Sequence, residues 1–143
     1  MEFRTKVELP AKGPKIQHTD RLMIWGSCFS EHIGNLLAEH KFNCDVNPFG
    51  VLYNPMSIAT SIQCLLKKAL YRKEDLHEEQ GVWYSLMHHS TFSSHEAEDC
   101  LQKINQRIAQ GHENLKQADW IIFTWGSSFV YTWKENGEIV GNC

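Results

Sequence analysis

Four apolar residues in a row, Leu22-Met23-Ile24-Trp25, stop at Gly26, and the spacing of apolar side chains then changes. The next ones, Phe29, Ile33, Leu36 and Leu37, recur at helical intervals along one face. The first run predicts a short buried strand over 21–25, and the second predicts a helix from about Ser30 to Lys41. A chain that turns from strand to helix across Gly26-Ser27-Cys28 has few architectures open to it. Most of them place strands and helices in alternating layers.

The rest of the chain repeats the alternation. Phe42–Val46 reads as a second short strand, and Asn47-Pro48-Phe49-Gly50 is strong turn chemistry. Asn54-Pro55 has the form of an N-cap followed by proline at the first helical position. Ile58, Ile62, Leu65, Leu66 and Ala69 carry that helix onward. Tyr71–Gln80 is charged and reads as a loop or a fraying helix end. Val82–Tyr84 is a weak strand, and Ser93 with Glu96 has the form of a capping box. Behind it Ala97, Leu101, Ile104 and Ile108 predict a helix to about Ala109 or beyond. Asp119–Thr124 is the clearest buried strand, and Asn136-Gly137 predicts a hairpin between Phe129–Trp133 and Glu138–Val140. The expected fold class is α/β, around a mostly parallel sheet. Ligands of such sheets bind beyond the carboxyl ends of the strands. Gly26-Ser27-Cys28, Asn47–Gly50 and Gly126-Ser127-Ser128 should all lie there.

Composition narrows the function classes. The chain has 143 residues, with 17 acidic against 14 basic side chains and no basic cluster, so a nucleic-acid footprint is not expected. No apolar run approaches the ~20 residues a membrane helix needs. The start, Met-Glu-Phe-Arg-Thr-Lys, lacks the apolar core of a secretory signal. The expectation is a cytoplasmic protein without membrane or nucleic-acid partners. Residues 1–17, broken by Pro10, Gly13 and Pro14, read as an N-terminal arm before a domain over 18–143. The five cysteines, Cys28, Cys44, Cys64, Cys100 and Cys143, are odd in number, widely spaced and without a CxxC pair. They are expected as reduced thiols, mostly packed as small hydrophobes.

Chemistry concentrates at Gly26-Ser27-Cys28. A nucleophile there lies at the positive end of a helix dipole, beside backbone N–H groups that can hold an oxyanion. A thiol in that place gains thiolate character. A plain helix cap, with Ser27 or Ser30 capping and Cys28 filling space, explains the same residues. His88, His89, His95 and Cys100 are loosely grouped but lack the paired spacing of a zinc site. GxGxxG and the P-loop are absent. No metal or organic cofactor is therefore expected. Trp125, beside Gly126, is a candidate pocket-lining residue.

Gly26-Ser27-Cys28-Phe29-Ser30-Glu31 resembles the signature of the GSCFA family, with Ser30 where that family has Ala. Asn47-Pro48-Phe49-Gly50-Val51-Leu52-Tyr53-Asn54-Pro55 is similar to its NPFGxxYNP segment. Trp83-Tyr84-Ser85 with His89 and Phe92-Ser93 resembles its W-S-H-F-S region. Thr124-Trp125-Gly126-Ser127 with Val130-Tyr131 resembles its TxGTxxVY block, and Val140-Gly141-Asn142-Cys143 the start of its V-x-N-C-H-K segment. The resemblance spans roughly 20–143. It implies a kinship with SGNH (GDSL-type) esterases and a flavodoxin-like, three-layer α/β/α fold, incomplete at its C-terminus.

That kinship implies an ester hydrolase working through a covalent acyl intermediate on a small-molecule or carbohydrate acyl ester. Laid over the esterase blocks, Cys28 stands at the nucleophile position, with Ser27 as rival. The backbone of Cys28, Gly50 and the Gly126-Ser127-Ser128 turn stand as oxyanion donors. Asn47 and His89 stand as further binding residues. Ser128 replaces the Asn of the third esterase block, and no Asp-x-x-His follows Gly126. The implied domain is thus the N-terminal portion of a longer one, inactive without the rest. A non-catalytic ligand-binding module and a redox-active thiol protein are the alternatives.

Overall fold

Leu22–Trp25 bury on both faces because they form the middle strand of a sheet covered on both sides. In the computed structural model, which describes residues 13–141, these four side chains are at most 2% exposed. Most of the expected N-terminal arm, and Asn142 and Cys143 of the last family-like segment, lie outside the described residues. In chain order the elements are β1 (Arg21–Gly26), α1 (Cys28–Glu39), β2 (Asn43–Val46), α2 (Pro55–Lys67), β3 (His77–Glu79), β4 (Val82–Tyr84), α3 (Ala97–Lys116), β5 (Trp120–Thr124), β6 (Tyr131–Thr132) and β7 (Ile139–Val140). The main sheet has the order β2-β1-β5, all parallel, with Ile24 opposite Val46 and Gly26 opposite Thr124. The α/β expectation holds.

Strand alternation divides the cover. Met23 and Trp25 join Ile58 and Leu65 of α2 and Ile104 and Ile108 of α3 in the main core. Leu22 and Ile24 turn to the opposite face, where α1 packs on β1 and β2. The approach of α1 is made by small residues. Ser30 and Gly34 are its buried positions, and a Cβ on Gly34 would stand 2.4 Å from a Val46 methyl carbon. The apolar stripe read from the sequence therefore does not do the packing. Phe29 and Leu36 are exposed, while Ile33 and Leu37 are half-buried.

The remaining departures have local causes. α1 begins at Cys28 because Ser27 caps it. Asn54 caps α2 as expected, accepting the Ser57 N–H at 2.8 Å, with Pro55 opening the helix. The Ser93–Glu96 capping box does not form. Trp83 and Ser94 exchange backbone hydrogen bonds of 2.7 and 3.0 Å, which hold that stretch extended until α3 can begin at Ala97. α3 continues beyond Ala109 to Lys116, as the reading allowed, with Gly111 against Leu65 and His112 Nδ1 paired with the Leu65 carbonyl at 2.8 Å. The charged stretch read as a loop contains β3, paired antiparallel with β4 across Gln80-Gly81. Both turn residues have positive φ, 53° and 78°, as a tight hairpin turn requires. The weak strand, β4, thus lies outside the parallel sheet. The second hairpin forms as read, β6 against β7. β5 forms but is not buried: it is a sheet edge among the described residues, and Ile121 and Phe123 lie on the Met23–Trp25 face, half-exposed beyond the reach of α2 and α3.

Candidate functional site

The carboxyl ends of β1, β2 and β5 point the same way, and the three Gly-bearing turns meet there. Gly26 ends β1 with φ +149°, and a Cβ on it would lie 2.2 Å from Thr124 Oγ1. Only glycine fits that conformation and that space. Its N–H donates to Asn47 Oδ1 at 2.9 Å, and its carbonyl accepts the Leu52 N–H at 3.0 Å. Both its N–H and its carbonyl are thereby held by the connection between β2 and α2.

Ser27 follows as the N-cap, its Oγ accepting the Phe29 N–H across a long 3.3 Å. Cys28 is the first residue of α1 and is exposed. Its N–H belongs to the first turn of the helix, whose donors have no partner within the helix. Ser30 Oγ donates to the Trp25 carbonyl at 3.1 Å and shares a 2.6 Å hydrogen bond with Thr124 Oγ1, which locks the start of α1 onto the ends of β1 and β5. Sequence reasoning had passed over Ser30 and Thr124 as site-building residues. The signal was present in Ser30 itself, a hydroxyl where the resembling motif has Ala.

Asn47 is the best-anchored polar side chain of the group. Its backbone sits at φ +43°, a conformation Asn tolerates, and its N–H continues the sheet to the Ile24 carbonyl at 2.8 Å. Because Oδ1 accepts from Gly26, the orientation of the carboxamide is settled. Nδ2 is then a donor, and it is buried without a partner beside the Gly26-Ser27 turn.

Three of the expected oxyanion N–H groups are engaged elsewhere. Gly50 N–H donates to the Asn47 carbonyl at 2.8 Å, closing the turn. Gly126 and Ser127 N–H both donate to the Tyr53 carbonyl at 2.9 Å. Gly126 does lie against Ser27, whose Cβ is 3.4 Å from where a Cβ on Gly126 would stand. Ser127 Oγ accepts the Phe129 N–H at 3.0 Å, and Ser128 is exposed. His89 packs directly on Gly50, where a Cβ would meet its own Cβ at 2.2 Å, and its N–H donates to the Phe49 carbonyl at 2.9 Å. Its Nδ1 accepts the Thr91 N–H at 3.3 Å, so the ring caps the short 3-10 turn at 90–92. The structure thus gathers Ser27, Asn47, Gly50, Gly126, Ser127 and His89 around one edge, with Cys28 at its rim.

Three further thiols lie among the described residues. Burial pushes the Cys44 and Cys100 thiols up and Cys64 up to about 11, which keeps them protonated and unreactive at neutral pH. Among the described residues no three His, Cys, Asp or Glu side chains are grouped to hold a metal ion. His95 is occupied with the Gly81 carbonyl at 2.9 Å. Trp125 is exposed and stacks on Phe123 with ring centroids 5.3 Å apart.

This is an α/β protein whose candidate site crowns the carboxyl ends of a parallel sheet. The GSCFA family model matches residues 21–143, and the chain belongs to the GSCFA family. No curated protein and no solved structure matches the chain. No helix among the described residues is long and apolar enough to cross a membrane.

Proposed function

We propose that the protein is an ester hydrolase of SGNH type, acting on a small-molecule or carbohydrate acyl ester. The observation that carries this reading is the Gly26-Ser27-Cys28 turn itself. It sits at the carboxyl end of the central parallel strand and opens a helix, and the buried, unpartnered Asn47 Nδ2 stands beside it. A flavodoxin-like sheet with a nucleophile after its first strand uses the same placement.

The side chain of Cys28, or of Ser27, attacks the ester carbonyl carbon, and the carbonyl π pair moves onto oxygen. The Cys28 N–H is the donor left to hold that oxyanion, in place of Gly50 and Gly126, and the Asn47 carboxamide positions the turn that carries it. Collapse re-forms the carbonyl and expels the alkoxide, which leaves as alcohol with the proton lost by the nucleophile. Water then attacks the acyl-enzyme, releasing the carboxylic acid and returning the proton to the nucleophile. His89 binds substrate at the β2 side. No step draws on a cofactor.

A second reading, a ligand-binding module on the same scaffold, is favoured by the commitment of the Gly50, Gly126 and Ser127 N–H groups to backbone carbonyls. Incubating the full-length protein with 4-nitrophenyl acetate, with mass spectrometry of the trapped adduct, separates the two. The hydrolase reading expects an acetyl group on Cys28 or Ser27 and turnover falling about a thousandfold when that residue becomes Ala. It also expects a loss of about a hundredfold in Asn47→Ala. Ligand binding with neither adduct nor turnover would leave the binding module. A reversible sulfenic acid at Cys28 without turnover would point to redox chemistry.

A further inference from the structure

The loop between β4 and α3 builds a second polar centre behind the Asn47–Gly50 turn. Ser85 Oγ lies 2.9 Å from His88 Nδ1, accepts the Met87 N–H at 3.1 Å and is hydrogen-bonded to the Tyr71 phenol. The Ser85 hydroxyl thereby satisfies His88 Nδ1. Nε2 is the remaining polar atom of the ring. That nitrogen is buried and has no partner, in a side chain only 3% exposed. The ring is wedged between Phe49, stacked at 4.1 Å, and the edges of Tyr71 and Phe92 at 5.0 and 5.1 Å. A buried polar atom without a partner is costly.

Ser85 and His88 form the inner wall of a cavity of about 530 Å³ whose outer wall is the β6–β7 hairpin. Its size is that of a small-molecule site. No Lys, Arg, Asp or Glu lines it, and none of Ser27, Cys28 or Asn47 does. Burial holds His88 down to about 3, so this wall carries no charge at neutral pH. The hydroxyls of Ser90, Ser93, Tyr131 and Thr132 have no hydrogen-bond partner among the described residues, and Trp133 adds a broad apolar face. An ionic ligand would find no counter-charge here. A ligand with one flat C–H face and a rim of hydroxyls would find both an aromatic seat and partners for its polar atoms.

We propose that this cavity binds a neutral saccharide, stacked on Trp133 and bonded by the free hydroxyls, against an inner wall formed by Ser85 and His88. The site stands apart from the Gly26 turn and does not depend on the hydrolase reading.

Titration of the full-length protein with methyl glucoside, methyl galactoside and N-acetylglucosamine tests it, followed by tryptophan fluorescence and saturation-transfer NMR. At least one sugar should bind saturably in the millimolar range, and Trp133→Ala should weaken it by about tenfold. Tyr131→Phe, which removes only a hydroxyl, should weaken it by about threefold. Glucuronate should bind more weakly than its neutral counterpart. Circular dichroism confirms that these surface variants stay folded. The proposal is overturned by no saturable binding up to about 50 mM. Binding indifferent to both variants overturns it too, as does adenosine binding more tightly than every sugar. Each readout is independent of ester turnover.

Discussion

Two Gly-Ser turns end neighbouring parallel strands, and they are built differently. Gly26-Ser27 follows the buried central strand, takes a conformation reserved for glycine and opens a helix. Gly126-Ser127 follows the edge strand, opens no helix and donates both of its N–H groups to one carbonyl, that of Tyr53. Beyond the first, Ser30 is buried; beyond the second, Phe129 is 80% exposed. The same dipeptide at the same end of a parallel sheet thus has two uses. What separates them is whether a helix begins there, since only a helix start leaves backbone donors pointing outward. Gly26-Ser27 can present a reacting group, while Gly126-Ser127 closes the wall opposite.

The comparison breaks most visibly at the glycines. Gly26→Ala should cost about 3 kcal/mol or more, since its Cβ meets both Thr124 oxygens and Ser30 Oγ at a strained φ. Gly126→Ala should cost under about 1 kcal/mol, because its nearest neighbour is the Tyr53 ring at 3.0 Å, which can tilt aside. Urea denaturation of the two variants measures the gap, and equal midpoints would erase the distinction.

Asn47→Ala comes next. It leaves the Gly26 N–H buried and unpaired and removes a residue suited to φ +43°, at a cost of about 2 kcal/mol. Amide exchange sharpens the test. The Gly26 amide should exchange faster in this variant while the Gly126 amide, bonded to Tyr53, keeps its rate.

Acid should weaken the Gly26 side as well. His88 stacks on Phe49 of the loop that holds Gly26, and burial brings it from its ordinary 6.5 down to about 3. Between those values only the unfolded chain takes up the proton. Stability therefore falls as pH drops, by at most about 1.4 kcal/mol per pH unit. From pH 6.5 to 5 the loss from this group is about 2 kcal/mol or less. His88→Phe should flatten the slope of urea midpoint against pH. An unchanged slope would show that the acid sensitivity lies elsewhere.

Much of this architecture is legible in the sequence. The Leu22–Trp25 run and the Asn54-Pro55 start need only local chemistry, and both formed as read. The three polar turns converge because strands of a parallel sheet end on one side. Local patterns failed where a distant partner intervened. Ser93 with Glu96 carried a cap signal, yet Trp83 held the intervening Ser94 extended. Phe29 and Leu36 carried a packing signal, yet Gly34 allowed α1 to approach through its small face. β3 was hidden by its charges, and only the Gln80-Gly81 pair marked it.

At the candidate site the division is similar. Gly26-Ser27-Cys28 could be chosen from its residue types and spacing, and Asn47 and Gly50 from the family resemblance. Their hydrogen-bond assignments could not. That Gly50 N–H closes its own turn, that Gly126 and Ser127 share the Tyr53 carbonyl, and that Asn47 Nδ2 and His88 Nε2 are left unpaired are all facts of tertiary structure. The sequence by itself determined the strand–turn–helix order and which side chains could react, because propensity and periodicity act between near neighbours. Only the tertiary structure decided which donors remain free. A hydrogen bond is counted between groups brought together from far apart in the chain, and each one made removes a donor from the chemistry.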